Sequence, residues 1–308
     1  MSTEKAKGLI FGLAIGDAMG APVEFMTFEQ IKGVYGEGGI KDLPDPAVYT
    51  DDTQMSIAIA EALIEAGHKD IETLMNKVKE EFIKWCHAPD TPSRAPGRTC
   101  LTAVAKMEKG IHWTSSGVAE SKGCGSAMRS APVGYFYQHN PKKLKGVAHI
   151  TGICTHRHKA ADAACIGAAY LVKLALDGME PSGMIGELLN FTSGISDEWE
   201  KAIEKIRKCL EWEGEEEAFS FLGEGWVGEE AVALALYCFL RYPYSYEKCV
   251  LRAANTNGDS DSIACIAGAI SGAYLGFEAI PQSWAERIEN KVYLADLGAR
   301  LARARSSK

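Results

Sequence analysis

Four aspartates arrive in two pairs, each at the head of an apolar helical stretch. Thr50, Asp51 and Asp52 stand in "YTDDTQMS" (49–56), and Asp259, Asp261 and Ser262 in "NTNGDSDSIACIAG" (255–268). One acid at a helix start is ordinary, because the unpaired N–H groups there carry partial positive charge and a single carboxylate satisfies them. Capping needs one acid per helix; here each helix has two, with a hydroxyl alongside. If the two starts converge, four carboxylates share a small volume. Each like-charge pair at about 4 Å then costs on the order of several kcal/mol in a partly buried site. Protonation or bound cations must relieve that repulsion. Carboxylate and hydroxyl oxygens are hard donors, suited to Mg²⁺ or Mn²⁺ rather than to zinc, which recruits Cys and His. Two such ions about 3.5–4 Å apart could bind the set and hold a water as nucleophile.

Other stretches offer anion binding. "SKGCGSAMRSAP" (121–132) is a Gly–Cys–Gly–Ser turn entering an apolar segment, with Arg129 behind it, and its free backbone N–H groups could cradle a phosphate. "RAPGRTCL" (94–101) has a similar look, with Arg94 and Arg98 close by. Two motifs point elsewhere. "DSDS" (259–262) fits the D-x-D-x-[TS] start of a phosphate-transferring aspartyl enzyme, which belongs at the end of a hydrophobic strand, whereas "LRAANTNG" precedes it. "GEGWVG" (223–228) literally fits the dinucleotide-binding G-x-G-x-x-G, but no strand–helix alternation surrounds it. His156 and His158 lie two apart in "THRH"; on a helix they would point in different directions, which is weak evidence for a metal.

The elements that must position these residues read as helices. Apolar residues recur at three- and four-residue spacing in "TQMSIAIAEALIEAG", "DIETLMNKVKEEFIKWCHA", "AADAACIGAAYLVKLALDG", "DEWEKAIEKIRKCLEWEGEEE", "EEAVALALYCFLRY", "SYEKCVLRAANT" and "SIACIAGAISGAYLGF". Small residues such as Gly268 and Gly272 would let helices approach closely. No convincing period-2 strand appears, and no linker or fixed-period repeat divides the chain. The irregular parts, 32–50, 88–99 and 114–126, are rich in Gly, Pro, Ser or Asp, as binding loops on a helical scaffold are. The expectation is an all-α protein, residues 1–308 forming a single compact multi-helix domain around a central metal cleft.

The totals narrow the function. At 46% hydrophobic residues the chain can bury a sizeable core, and a net charge of −8 argues against nucleic acid as a stable partner. The nine cysteines are scattered with no C-x-x-C, which predicts reduced thiols in a cytoplasmic protein. The apolar start "MSTEKAKGLIFGLAIGDAMGA" is interrupted by Gly12, Gly16 and Asp17 before membrane length, so no membrane association is expected.

At these residues the chain resembles the ADP-ribosylglycohydrolase family. The resemblance runs from about residue 6 to 290 and rests on "GLAIGDAMGAPVEF", "YTDDTQM", "APGRTCL", "KGCGSAMRSAPVGYF", "THRH" and "NTNGDSDSIA", in family order. It implies an all-α fold and a dinuclear Mg²⁺ or Mn²⁺ site held by Thr50, Asp51, Asp52, Asp259, Asp261 and Ser262, the last standing where many members have Thr. It implies that Glu24 lies on a mobile loop that controls entry, and that Gly97, Gly123, Gly125, Ser126, Met128, His156 and Gly258, with Glu24, contact ADP-ribose. The implied reaction is hydrolysis of the glycosidic bond between ADP-ribose and an acceptor, a protein side chain or a small molecule, with Asp52, Asp261 or Glu24 accepting the proton of the attacking water. Cys124 and Arg98 replace residues that are often Asn, and the absence of an acid near Ala95 weakens any carry-over of arginine specificity. A non-catalytic member, a binding or crystallin-like structural protein, is the different-class alternative; it would gain nothing from the repulsion among four retained aspartates.

Overall fold

A computed structural model describes residues 2–306. The described residues are helical throughout, with three isolated β-bridges and no extended strand. The all-α expectation holds; the stretches read as irregular lie mostly between helices but overlap Phe28–Tyr35, Arg98–Glu108 and Trp113–Ser116 at their edges.

The first helix, Ser2–Gly20, is one of several that the sequence reading passed over, as it did Phe28–Tyr35, Arg98–Glu108, Pro141–Ile153, Pro181–Thr192 and Lys291–Ser306. Its glycines do not break it. Gly8, Gly12, Gly16 and Gly20 recur every fourth residue and so share one face. A Cβ at any of them would collide with the backbone of the helix Ser260–Leu275, at Gly272, Gly268, Ala264 and Ser260 respectively. Gly268 and Gly272 answer from the other side, each facing the backbone of Gly12 or Gly8. Without side chains between them the two backbones meet directly, and that seam is the centre of the core. The stretch Thr3–Val23 is long and apolar enough to cross a membrane, but it is mostly buried inside the fold.

The helix Asp51–Ala66 packs near the same end of this pair, and Lys159–Leu176 and Gly228–Arg241 close the other side. The stretch 197–217, expected as one helix, is two: Asp197–Cys209 and Glu215–Leu222. The chain turns at Leu210–Gly214, and the turn brings Trp212 against Phe221 of the second helix, ring centroids 5.2 Å apart. Burying those two rings together outweighs the helical propensity of the acidic run between them.

Candidate active site

The two aspartate pairs are not spent on capping. At the first helix start the orphan N–H groups are taken by other residues. The Thr50 side chain accepts from Asp52 N (3.4 Å), and Asp17 accepts from Thr50 N (2.9 Å), Thr53 N (2.9 Å) and the Thr53 hydroxyl (2.6 Å). Asp51 and Asp52 are thereby left free. Asp51 Oδ2 accepts from Gly97 N at 3.1 Å, while Asp52 Oδ2 is buried with no hydrogen-bond partner. At the second start Asp259 occupies the N-cap position, yet its side chain makes no cap bond. Its Oδ2 instead accepts from the Cys124 thiol at 2.8 Å, and Asp261 Oδ1 accepts from Ser262 N at 2.9 Å.

The two starts meet. Thr50 and Asp259 both lie close enough to the Asp261 carboxyl to act on its titration. One carboxylate oxygen each from Glu24, Asp259 and Asp261 lies within 4.8 Å of the others. Asp17, Asp51, Asp52, Asp259 and Asp261 are all buried. Burial, reinforced by Asp261's charge, pushes the Asp17 carboxyl up to about 7 and holds Asp52 and Asp259 far above the usual carboxylate range. Burial raises Asp51 to about 8, and burial with the charges of Asp261 and Asp259 raises Glu24 to about 9. Asp261 itself is raised by burial. So many carboxyls cannot all ionise in one small volume unless a cation joins them. An unsatisfied buried oxygen, an all-oxygen set of aspartates and adjacent hydroxyls fits a hard divalent cation.

These residues form the floor of a cleft of about 420 Å³, a volume typical of small-molecule sites. One wall is the glycine turn. A Cβ on Gly125 would come within 2.9 Å of His156 Cε1 and 3.0 Å of Cys100 Sγ, so the loop lies bare against the histidine. Arg129 supports this wall from behind. Its guanidinium donates to Gly125 O (2.6 Å), Thr151 O (2.9 Å) and Thr155 Oγ1 (2.6 Å) and lies 4.8 Å from the Phe82 ring centroid. Thr155 Oγ1, already accepting from Arg129, makes its shorter onward contact to His156 Nδ1 at 2.8 Å, the other being Gly152 O at 3.3 Å. Burial, with Arg129's charge, pushes His156 down to about 3. The ring is therefore neutral, with Nδ1 against Thr155 and Nε2 the nitrogen nearest Gly123. His158 caps the helix Lys159–Leu176, accepting from Ala160 N, so the H-x-H spacing carries no metal.

Of the predicted site residues, Glu24, Asp51, Asp52, Gly97, Gly123, Gly125, Met128, His156, Asp259, Asp261 and Ser262 line this cleft. Thr50 lines a neighbouring cavity on the far side of Glu24. Ser126 is turned inward, its hydroxyl donating to Ala161 O, and Gly258 packs under the backbone of Glu224. Sequence reasoning missed Asp17, whose only signal was one acid inside an apolar stripe. It also missed Phe25 and Trp226, stacked at the mouth with centroids 5.1 Å apart. Both motif rivals lose their context: Asp259 follows the helix Tyr246–Ala254 rather than a strand, and "GEGWVG" is a strap, bonded through Glu224 O to Asp259 N and through Gly228 N to Lys122 O.

A helical fold that gathers buried aspartates from two distant helix starts beneath a bare glycine loop defines a class of hydrolase. The chain belongs to the ADP-ribosylglycohydrolase family, whose pattern it matches over residues 2–308, and it is a hydrolase acting on glycosyl bonds. It is 33% identical to an uncharacterized protein of Archaeoglobus fulgidus, over 97% of this chain and 96% of that one. It is 28% identical to the ADP-ribosyl-[dinitrogen reductase] glycohydrolase of Rhodospirillum rubrum, over 94% and 92%. A solved structure titled ADP-ribosylglycohydrolase-related protein complex superposes with a TM-score of 0.78 at 26% identity, covering 98% of each chain.

Proposed function

We propose that this protein cleaves the glycosidic bond between ADP-ribose and an acceptor, a protein side chain or a small molecule, in a reaction that requires two divalent cations, Mg²⁺ or Mn²⁺. The observation that carries the reading is the buried, unpartnered Asp52 Oδ2 among carboxyls that cannot all ionise alone. Thr50, Asp51, Asp52, Asp259, Asp261 and Ser262 would hold the ions, which when bound supply charge stabilisation and an activated water.

The chain's own residues do the rest. The N–H groups of the Gly123–Gly125 turn bind phosphate oxygens, helped by Arg98, an exposed guanidinium on the cleft wall that makes no ion pair among the described residues. His156 donates from Nε2 to the same ligand without bringing a charge. Glu24, Asp52 or Asp261 accepts the proton of the attacking water, and Glu24, half-buried beside the exposed Phe25, is the one that can move with the mouth. The whole chain acts as one domain. Its nine unpaired cysteines suit a reducing cytoplasm.

The test is a panel of ADP-ribosylated acceptors incubated with each metal and followed by ADP-ribose release. Release that requires Mg²⁺ or Mn²⁺ and is lost in Asp52→Ala supports the reading. Calorimetry that detects ADP-ribose binding without release from any acceptor, or release indifferent to a chelator, overturns it.

A further inference from the structure

A second cleft of about 400 Å³, nearly the size of the first, opens on the opposite side of the segment 255–261. Its walls are the helix Phe28–Tyr35, the glycine turn at 36–41 and the helix Tyr246–Ala254. We propose that it binds a small amphipathic anion, a phosphate or carboxylate carried on an apolar body.

Charge is the first argument. In a chain of net charge −8, four cations line this cleft, Lys32, Lys41, Lys248 and Arg252, against two acids, Glu37 and Glu216. Lys32 is committed to Glu216 at 2.8 Å. Lys41 and Lys248 are exposed and make no ion pair among the described residues. Arg252 is held edge to ring, 4.2 Å from the Phe219 centroid and 5.5 Å from Phe28, with Nη2 donating to Asn255 O at 2.6 Å. Its buried Nε is ion-paired with Glu215 at 3.8 Å, without a hydrogen bond. A guanidinium fixed in place against two rings, beside two ammonium groups that make no ion pair among the described residues, is a receptor for an oxyanion. Ile31, Ile40 and Leu251 supply the apolar surface that selects the body behind it.

The cleft is tied to the catalytic loop. Asn255 clamps the glycine turn, its Oδ1 accepting from Ile40 N (2.9 Å) and its Nδ2 donating to Ile40 O (3.0 Å). Gly39, at φ +61°, has no room for a side chain against that amide. Asn257 Oδ1 accepts from Phe28 N (2.7 Å), holding the start of the helix that follows Glu24. An anion seated here therefore bears on both Asp259 and Glu24 through one short stretch of chain. Occupancy of this cleft does not depend on the catalytic assignment; its effect on turnover does.

Calorimetric titration of the full chain with phenyl phosphate tests the site. We expect binding, weakened at least tenfold in Lys41→Glu/Lys248→Glu, unchanged in Asp52→Asn, and tighter than that of inorganic phosphate. Phenyl phosphate should also slow amide exchange at 36–41. Absence of binding, indifference to the double charge reversal, loss in Asp52→Asn, equal affinity for inorganic phosphate, or unchanged exchange at 36–41 would overturn the proposal.

Discussion

Asp17 Oδ2 takes both the hydroxyl (2.6 Å) and the amide (2.9 Å) of Thr53, so a buried acid in the first helix organises the start of the helix that carries Asp51 and Asp52. Removing it orphans Thr50 N, Thr53 N and the Thr53 hydroxyl, at about 1–3 kcal/mol for each buried group left unpaired. Asp17→Ala should therefore lower the melting temperature. It should also weaken Mn²⁺ binding about 10–100-fold, as loss of a supporting residue behind a metal ligand does. Calorimetric Mn²⁺ titration checks this; unchanged affinity would show that Asp17 supports the fold alone.

The acid cluster makes stability depend on pH with a definite sign. The folded chain holds protons on Asp17, Asp51 and Glu24 more tightly than the unfolded chain, up to about 7, 8 and 9 against ordinary values of 3.8 and 4.5. The associated stability is complete below pH 4 and is lost as pH rises through those values. Melting temperature in EDTA should fall between pH 5 and pH 9. Mg²⁺ should restore most of the loss at pH 9 and add little at pH 5, where protons already occupy the carboxyls. A flat profile in EDTA would refute the clustering of charge.

Thr155 Oγ1 is the hydrogen-bond partner of His156 Nδ1 at 2.8 Å, so Thr155→Val should redistribute the imidazole proton between Nδ1 and Nε2, visible in the nitrogen shifts of a histidine-labelled sample. Loss of one oriented donor corresponds to about tenfold weaker ADP-ribose binding. Thr155→Ser should rescue both readouts. An unaltered tautomer in the valine variant would assign the orientation to burial instead.

The glycine seam permits no growth. A Val at Gly12 would collide with the backbone of Gly268, and overpacking of this kind costs about 1–3 kcal/mol or more. Gly12→Val should lower the melting temperature and metal affinity together, because the displaced helix begins at Asp259 and Asp261. Gly33→Ala, with open space around it inside the helix Phe28–Tyr35, is the control: it should leave metal affinity unchanged and raise the melting temperature slightly, because alanine favours a helix over glycine by about 0.5–1 kcal/mol.

Much of this site was legible because its chemistry is local in sequence: "TDDT" and "NGDSDS" each announce a surplus of acid at a helix start. What was not legible depends on contacts between distant segments. Asp17 looks like an interruption of an apolar stripe until Thr50 and Thr53 are seen to donate to it. Gly12 and Gly16 read as interruptions of an apolar run, and with Gly8 and Gly20 they prove to be required by tertiary packing against Ser260–Leu275. The run 197–217 was read as one helix although Gly214 interrupts it; that glycine is the N-cap of the second helix, and the Trp212–Phe221 contact forms across the turn.

The seam joins residues 8–20 to residues 260–272, segments far apart along the chain. Until about residue 275 has left the ribosome, the opening helix has no partner for its bare face, and Asp51 and Asp52 have no opposing acids. A product terminated before that point thus lacks Asp259 and Asp261 as well as the central packing contact, and cannot shield the bare face of the helix Ser2–Gly20.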